Sequence, residues 1–177
     1  MDDFDRLFHE YHAPIVRYLT RQTGDRDLAE ELAQETFLRA LRHGPTVNVR
    51  SWLFTVATNL VRDTARREVR QRRHLELLRA EQEEVENERE YEPVTPGADE
   101  LKKASLAREA LYALADRDRV ALLMCEEGLS YQEIAAALDL SVQSVGTTLT
   151  RARKRVVQQY EALVNRENGK GEANVAS

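Results

Sequence analysis

The residues with most chemistry to offer lie in 130–155, SYQEIAAALDLSVQSVGTTLTRARKR. Ser130 and Glu133 stand at the spacing of a capping box, so a short helix is expected to start there. Ile134, Ala135 and Leu138 form its inward side. A three-residue turn follows, and Ser141 is placed to cap a long final helix that buries Val142, Val145, Leu149, Ala152, Val156 and Tyr160. Two helices of this kind joined by a short turn describe a helix-turn-helix. Ala135 is small where the helices must approach, and Asp139 tolerates the left-handed geometry of the turn. Gln143, Ser144, Thr147, Thr148 and Arg151 are left to meet base edges or phosphates in a major groove, while Arg153, Lys154 and Arg155 reach phosphates further along. The plain alternative is a helical hairpin with a solvated basic end.

A second constellation is the run of six arginines, Arg62, Arg66, Arg67, Arg70, Arg72 and Arg73, opposed only by Asp63 and Glu68. Positions 62, 66, 70 and 73 share one helical face, continuous with a helix that carries Trp52. Such a ridge suits a nucleic-acid backbone, and Asn59 adds a two-sided amide; a solvated charge run is the other reading. A third is the acidic stretch DLAEELAQETFLRAL, in which Asp27, Glu30, Glu31, Gln34 and Glu35 surround a leucine stripe. By itself this stretch reads most simply as a solvated face. His9 and His12 share a helix face, but no Cys or carboxylate set has metal-ligand spacing. With no Gly-rich phosphate loop and no supported Ser/His/Asp order, neither an enzyme nor a cofactor is expected.

The elements that must position these groups are helical. Phe4, Leu7, Phe8, Tyr11, Ile15, Tyr18 and Leu19 recur at three- and four-residue steps, predicting a first helix to about Arg21, kinked at Pro14. A second opens near Asp25 or Asp27, carries Leu28, Leu32, Leu38 and Leu41 as its stripe, and closes before Gly44-Pro45. Ser51 is the expected cap of a third, which buries Trp52, Leu53, Val56, Ala57 and Leu60. Leu101, Ala104, Leu111 and Leu114 resume the periodicity, followed by Asp116 as a cap and VALLMC closed by Gly128. Cys125 in that run is expected to be a core thiol.

Charge divides the chain further. Residues 1–73 net +2, residues 74–100 net −8 and residues 101–177 net +1, so the overall −5 comes from the middle. The pI near 5.5 therefore does not speak against nucleic-acid binding. The middle segment, HLELLRAEQEEVENEREYEPVTPGADE, is expected to be a linker, partly helical or a plain solvated tether, long enough to span about 90 Å when extended. The tail 166–177 lacks a core-forming pattern and is expected to be disordered. No apolar run reaches membrane length and the N-terminus is unlike a signal peptide, so the chain reads as cytoplasmic.

In this order and separation, DRDLAEELAQETFLRAL, RSWLFTVATNLVRDTARRE and EEGLSYQEIAAALDLSVQSVGTTLTRARKRV resemble the extracytoplasmic-function (ECF) sigma factors of bacterial RNA polymerase, over nearly all of residues 1–165. The resemblance implies an all-α protein of two small helical domains. Residues 1–73 would be sigma region 2, 74–100 the acidic linker, 101–165 sigma region 4 and 166–177 a tail. It also implies core RNA polymerase as partner, through the beta-prime clamp helices and the beta flap. Asp27, Glu30, Glu31, Gln34, Glu35 and Phe37 would meet the clamp helices. Asn59, Arg62, Asp63, Arg66, Arg67 and Arg70 would meet the non-template strand at the minus-ten element, with loop 43–50 holding a flipped base. The helix-turn-helix would read the minus-thirty-five duplex. The linker would run towards the polymerase active-site cleft. An anti-sigma protein would complete the partners, in a stress or envelope response.

The sequence departs from that family at Gly146 and Thr148, near which Lys or Arg is often found, and at Asp139, where Gly is common. An interior Gly costs a helix about 1 kcal/mol relative to Ala. Two other classes fit parts of the sequence. A DNA-binding regulator that never engages polymerase would not need the 52–73 helix. A helical scaffold would leave both basic patches without a task.

Overall fold

The computed structural model describes residues 3–43, 48–79 and 98–175. They form seven helices, α1 (Asp3–Thr23), α2 (Arg26–His43), α3 (Val49–Arg79), α4 (Ala98–Tyr112), α5 (Asp116–Glu126), α6 (Tyr131–Leu138) and α7 (Val142–Val175), with no strand among the described residues. The fold is all-α, as the periodicity requires.

The first three helices make the N-terminal bundle. Ile15, Tyr18 and Leu19 of α1, Ala29, Ala33 and Phe37 of α2, and Leu53, Phe54, Ala57 and Leu60 of α3 are buried together. Pro14 sits inside α1, which continues past it. Gly24 turns the chain at φ +72°, a geometry that favours glycine, and Asp25 caps α2 by accepting the Asp27 and Leu28 amides through Oδ1 at 2.9 and 3.1 Å. A polar pin fixes α1 to α3: the Tyr18 hydroxyl lies 2.6 Å from Thr58 Oγ1 and accepts from Gln22 Nε2 at 3.1 Å. Burial pushes the Tyr18 pKa up to about 12, so the phenol stays protonated at every ordinary pH.

Two capping expectations shift. Asn48, not Ser51, holds the start of α3, accepting the Ser51 amide at 3.2 Å. Ser51 is helical and buried, its hydroxyl donating to the Glu133 carbonyl at 2.9 Å. Asp116 likewise lies inside α5, whose N-cap position is Ala115.

The C-terminal helices pack around Val120, Leu123, Met124, Ile134, Val145 and Leu149. α5 ends at Glu126, and two residues on Gly128 turns the chain at φ +79°, so that the Leu129 amide reaches back to the Met124 carbonyl at 3.1 Å. Three expectations here are corrected. Cys125 is half-buried with Arg153 Nη2 at 3.4 Å, rather than enclosed in the core. Val142 is 44% exposed, because it sits on the first turn of α7 ahead of the packed stripe. Residues 166–175 continue α7 as helix, and Arg166–Glu109 and Lys102–Glu167 pairs, each at 3.2 Å, tie its far end to α4. Most of the proposed linker, residues 80–97, lies outside the described residues, but 74–79 extend α3 as helix and 98–100 open α4.

The two bundles are in contact. Their buried residues form one continuous cluster, with α3 against α6 and α1 against α5.

Candidate nucleic-acid interface

The helix-turn-helix is built as its sequence specifies. Ser130 Oγ accepts the Glu133 amide at 3.2 Å and Glu133 Oε2 accepts the Ser130 amide at 2.7 Å, a reciprocal capping box. Asp139 takes the left-handed turn at φ 53° and ψ 52°, and Ser141 Oγ accepts the Ser144 amide at 3.2 Å to start α7. Val145, Leu149 and Ala152 are fully buried behind α7, which fixes the rotation of its outer face.

That rotation sorts the expected DNA-facing residues. Gln143, Ser144, Thr147, Arg151, Arg153, Lys154 and Arg155 are exposed. Thr148 is only 5% exposed, one position before the buried Leu149, so it belongs to the packed side and is removed from the set. Thr150 takes its place: it is exposed, one helical turn beyond Thr147 on the line 143, 147, 150, 154, with its hydroxyl donating to the Gly146 carbonyl at 2.9 Å. The three-four spacing from Gln143 was the signal that could have found it.

Asp118 organises the basic end of this face. Its carboxylate, 3% exposed, receives Arg151 through Nε and Nη2 at 3.1 and 2.7 Å, and Arg155 through Nη1 at 3.2 Å. The Arg151 hydrogen bonds hold the Asp118 carboxyl below the usual carboxylate range, and the same bonds raise the Arg151 pKa. Two guanidiniums on one carboxylate leave a net positive charge, and both arginines are about half exposed. The buried carboxylate thus fixes their direction while leaving donors for an anion.

On α3 the arginine ridge divides in two. Arg66, Arg67, Arg70, Arg72 and Arg73 are exposed, with Asp63 3.5 Å from Arg66 and Arg70 Nε donating to the Arg66 carbonyl at 3.3 Å. Asn59 is exposed as well. Arg62 is different: Nε and Nη2 fork onto Asp116 Oδ2 at 3.0 and 2.7 Å, across the contact between the bundles. Residues 44–47 of the 43–50 loop lie outside the described residues.

On α2, Asp27, Glu31 and Gln34 are exposed, Glu30 is half-buried with Oε2 3.8 Å from His12, and Glu35 accepts Arg39 Nε at 2.8 Å. Phe37 is 2% exposed, its ring 5.0 Å from that of Phe8, so it is core and not contact surface. Leu38 and Leu41, read as part of the buried stripe, are instead 47% and 59% exposed. Asp27, Glu31, Gln34, Leu38 and Leu41 follow three-four steps down one outer face, acidic at its start and apolar at its end. Among the described residues no group of His, Cys, Asp and Glu could hold a metal ion, and no helix is long and apolar enough to cross a membrane.

The chain matches the family descriptions "Sigma-70 region 2" over residues 7–71 and "Sigma-70, region 4" over residues 105–156. It is 31% identical over 157 residues to the RNA polymerase sigma factor YlaC of Bacillus subtilis (strain 168), covering 86% of this chain and 88% of that protein. Identity to the ECF RNA polymerase sigma factor SigM of the same organism is 29% over 167 residues, covering 92% and 98%. To the ECF RNA polymerase sigma factor SigE of Mycolicibacterium smegmatis (strain ATCC 700084 / mc(2)155) it is 32% over 165 residues, covering 88% and 61%. Two solved structures share the fold. The sigma factor RpoE in complex with the anti-sigma factor NepR, from Bartonella quintana, aligns with a TM-score of 0.64 at 21% identity, covering 91% of this chain and 98% of that one. CnrH in complex with the cytosolic domain of CnrY aligns with a TM-score of 0.62 at 22% identity, covering 90% and 88%.

Proposed function

The chain belongs to the sigma-70 family as an ECF sigma factor, a transcription initiation factor that directs core RNA polymerase to promoters, and on that premise we propose how its residues divide the work. The N-terminal bundle, residues 1–73, acts as region 2. Its α2 face docks on the polymerase clamp helices, acidic groups steering and Leu38 and Leu41 supplying apolar burial. The exposed Arg66, Arg67 and Arg70, with Asn59 and Asp63, hold the non-template strand once the minus-ten region opens. Arginine forks bind successive phosphates there, and every phosphate neutralised releases a counterion.

Residues 101–165 act as region 4. Gln143, Ser144, Thr147 and Thr150 face the base edges of the minus-thirty-five duplex, while Arg151, Arg153, Lys154 and Arg155 fix the register on phosphates. The role is one of positioning and melting, with no catalytic residue or cofactor of its own, and its place of action is the cytoplasm where the polymerase works. The observation that carries this reading is the capped helix-turn-helix with its outward polar face, in the same chain as an exposed arginine ridge on α3. Neither surface is large, so specific promoter binding depends on core polymerase. Fluorescence anisotropy on a promoter fragment should show tight, sequence-specific binding only when core is present. Equal affinity with and without core would favour the stand-alone DNA-binding regulator instead.

Inhibition by an anti-sigma protein is part of the same proposal. Both solved neighbours were captured with such a partner or with the cytosolic domain of another protein. A small protein covering the α2 and α7 faces should lower run-off transcription in proportion to its binding. A cell in which native and raised expression give equal activity per molecule, with no such protein bound, would point to control by abundance.

A further inference from the structure

The arginines of α7 lean on a neighbouring helix. Arg151 presents one whole edge of its guanidinium, Nε and Nη2, to the two oxygens of Asp118 on α5 at 3.1 and 2.7 Å, and Arg155 adds Nη1 at 3.2 Å. Arg153 turns to α5 as well, with Nη2 3.4 Å from Cys125 Sγ. The line 148, 151, 155 is the border of α7 on α5: Thr148 is buried there, and Ala152 beside it packs with Leu122. The exposed line 143, 147, 150 carries no charge, being Gln143, Thr147 and Thr150, with Gly146 beside it.

Arginine is the side chain that most commonly takes a guanine, through paired bonds to O6 and N7. Arg151 stands one helical turn beyond Thr147, so Asp118 decides whether it joins the base-reading set. The Asp118 side chain is 3% exposed, and water cannot replace a bond that Arg151 withdraws. A buried carboxylate left with one donor is costly. Arg151 can meet a phosphate without leaving, because Nη1 remains for the anion while Nε and Nη2 stay on the carboxylate. Base reading then falls to neutral side chains, which discriminate without a charge that raises affinity for every sequence alike.

We propose that Asp118 is a specificity-determining residue of region 4, a positioning residue that holds Arg151 and Arg155 at the phosphates and keeps Arg151 off the base edges of the upstream element. Neither guanidinium is lost to DNA, since both are about half exposed; what Asp118 fixes is which part of the duplex they meet. The inference deepens the reading of α7 as the duplex-reading helix and rests on it.

The test selects promoter fragments with a randomised upstream element, using the full chain bound to core polymerase, and sequences what is retained. Asp118→Asn releases Arg151 and should add a preference for guanine, roughly 5- to 100-fold, at one position where wild type has none. Asp118→Asn with Arg151→Ala should lose that added guanine. Glu126→Gln makes the same charge change at an exposed position of α5 and should keep the wild-type profile. Arg151→Ala alone should weaken retention of all fragments by one common factor and lower the slope of log Kd against log salt by about one, with no position changing its preferred base. That variant decides the matter if Asp118→Asn loses its helical circular dichroism spectrum. A folded Asp118→Asn chain with the wild-type profile overturns the proposal, as does an added guanine that survives Arg151→Ala or a base preference that Arg151→Ala removes. A wild-type chain that enriches no upstream sequence with core overturns the reading of α7 itself, and the proposal with it.

Discussion

Truncating Leu38 and Leu41 together should weaken core-polymerase binding about 30-fold and leave the fold intact. The two side chains are 47% and 59% exposed, so roughly half of each remains to be buried by a partner. Full burial of a leucine side chain is worth about 1.5–3 kcal/mol, which makes the available half about 1 kcal/mol per residue and about 2 kcal/mol for the pair. At 1.4 kcal/mol per decade that is about 30-fold in Kd. Phe37→Ala provides the contrast. Phe37 is 2% exposed and packed on Phe8, so its loss should cost about 3–5 kcal/mol of stability and show first in urea melts. Core affinity of each variant would be measured by competition against a labelled wild-type chain, beside its denaturation midpoint. If Leu38→Ala with Leu41→Ala binds core as well as wild type, or if it melts like Phe37→Ala, the outer face assigned to α2 is wrong.

Further outcomes follow from the recognition helix and its supports. A Cβ built on Gly146 meets Tyr131 Cε2 at 3.6 Å, an ordinary contact, so Gly146→Ala should stabilise the chain by about 0.5–1 kcal/mol, read as a higher urea midpoint; a drop would mean the helix needs the glycine for close approach. Asp118 has its folded pKa lowered by Arg151, so its contribution to stability is fully present above the ordinary value of 3.8 and fades as pH falls towards the lower folded value. The stability gap between wild type and Asp118→Asn should therefore be constant from neutral pH to about pH 5 and narrow below about pH 4; a gap that widens in acid contradicts the pairing. Arg66→Ala with Arg70→Ala should keep upstream footprints yet reduce permanganate reactivity of downstream thymines. Gln143→Ala with Thr147→Ala should instead shift upstream sequence preference, about 1–3 kcal/mol per lost base contact. The same defect at the same step in both pairs would remove the division of labour.

Local rules were enough to read some of this from the sequence, and tertiary partners decided the rest. The Ser130–Glu133 box and the left-handed Asp139 depend on residues within one turn, and both stand where the sequence puts them. The face of α2 does not follow from its own residues. Leu38 and Leu41 satisfy a helical stripe as well as Phe37 does, and only packing on Phe8 turns Phe37 inward and the leucines out. Thr148 failed for the same reason, since the burial of Leu149 and Val145 sets the rotation of α7. Asp118, 33 residues from Arg151, carries no periodic signal of its role. The contact between the bundles was the least legible: the acidic composition of 74–100 suggested distance, whereas Glu127, Arg17 and Arg21 find one another only in three dimensions.

Run-off transcription across a genomic fragment library, with purified core polymerase and the full chain, tests the central claim most directly. The account requires discrete transcripts whose start sites share upstream and start-proximal sequence elements, and which vanish when either core or this chain is omitted. Core that gives the same transcripts with and without the chain, or no discrete start site at any chain concentration that saturates core, would contradict it.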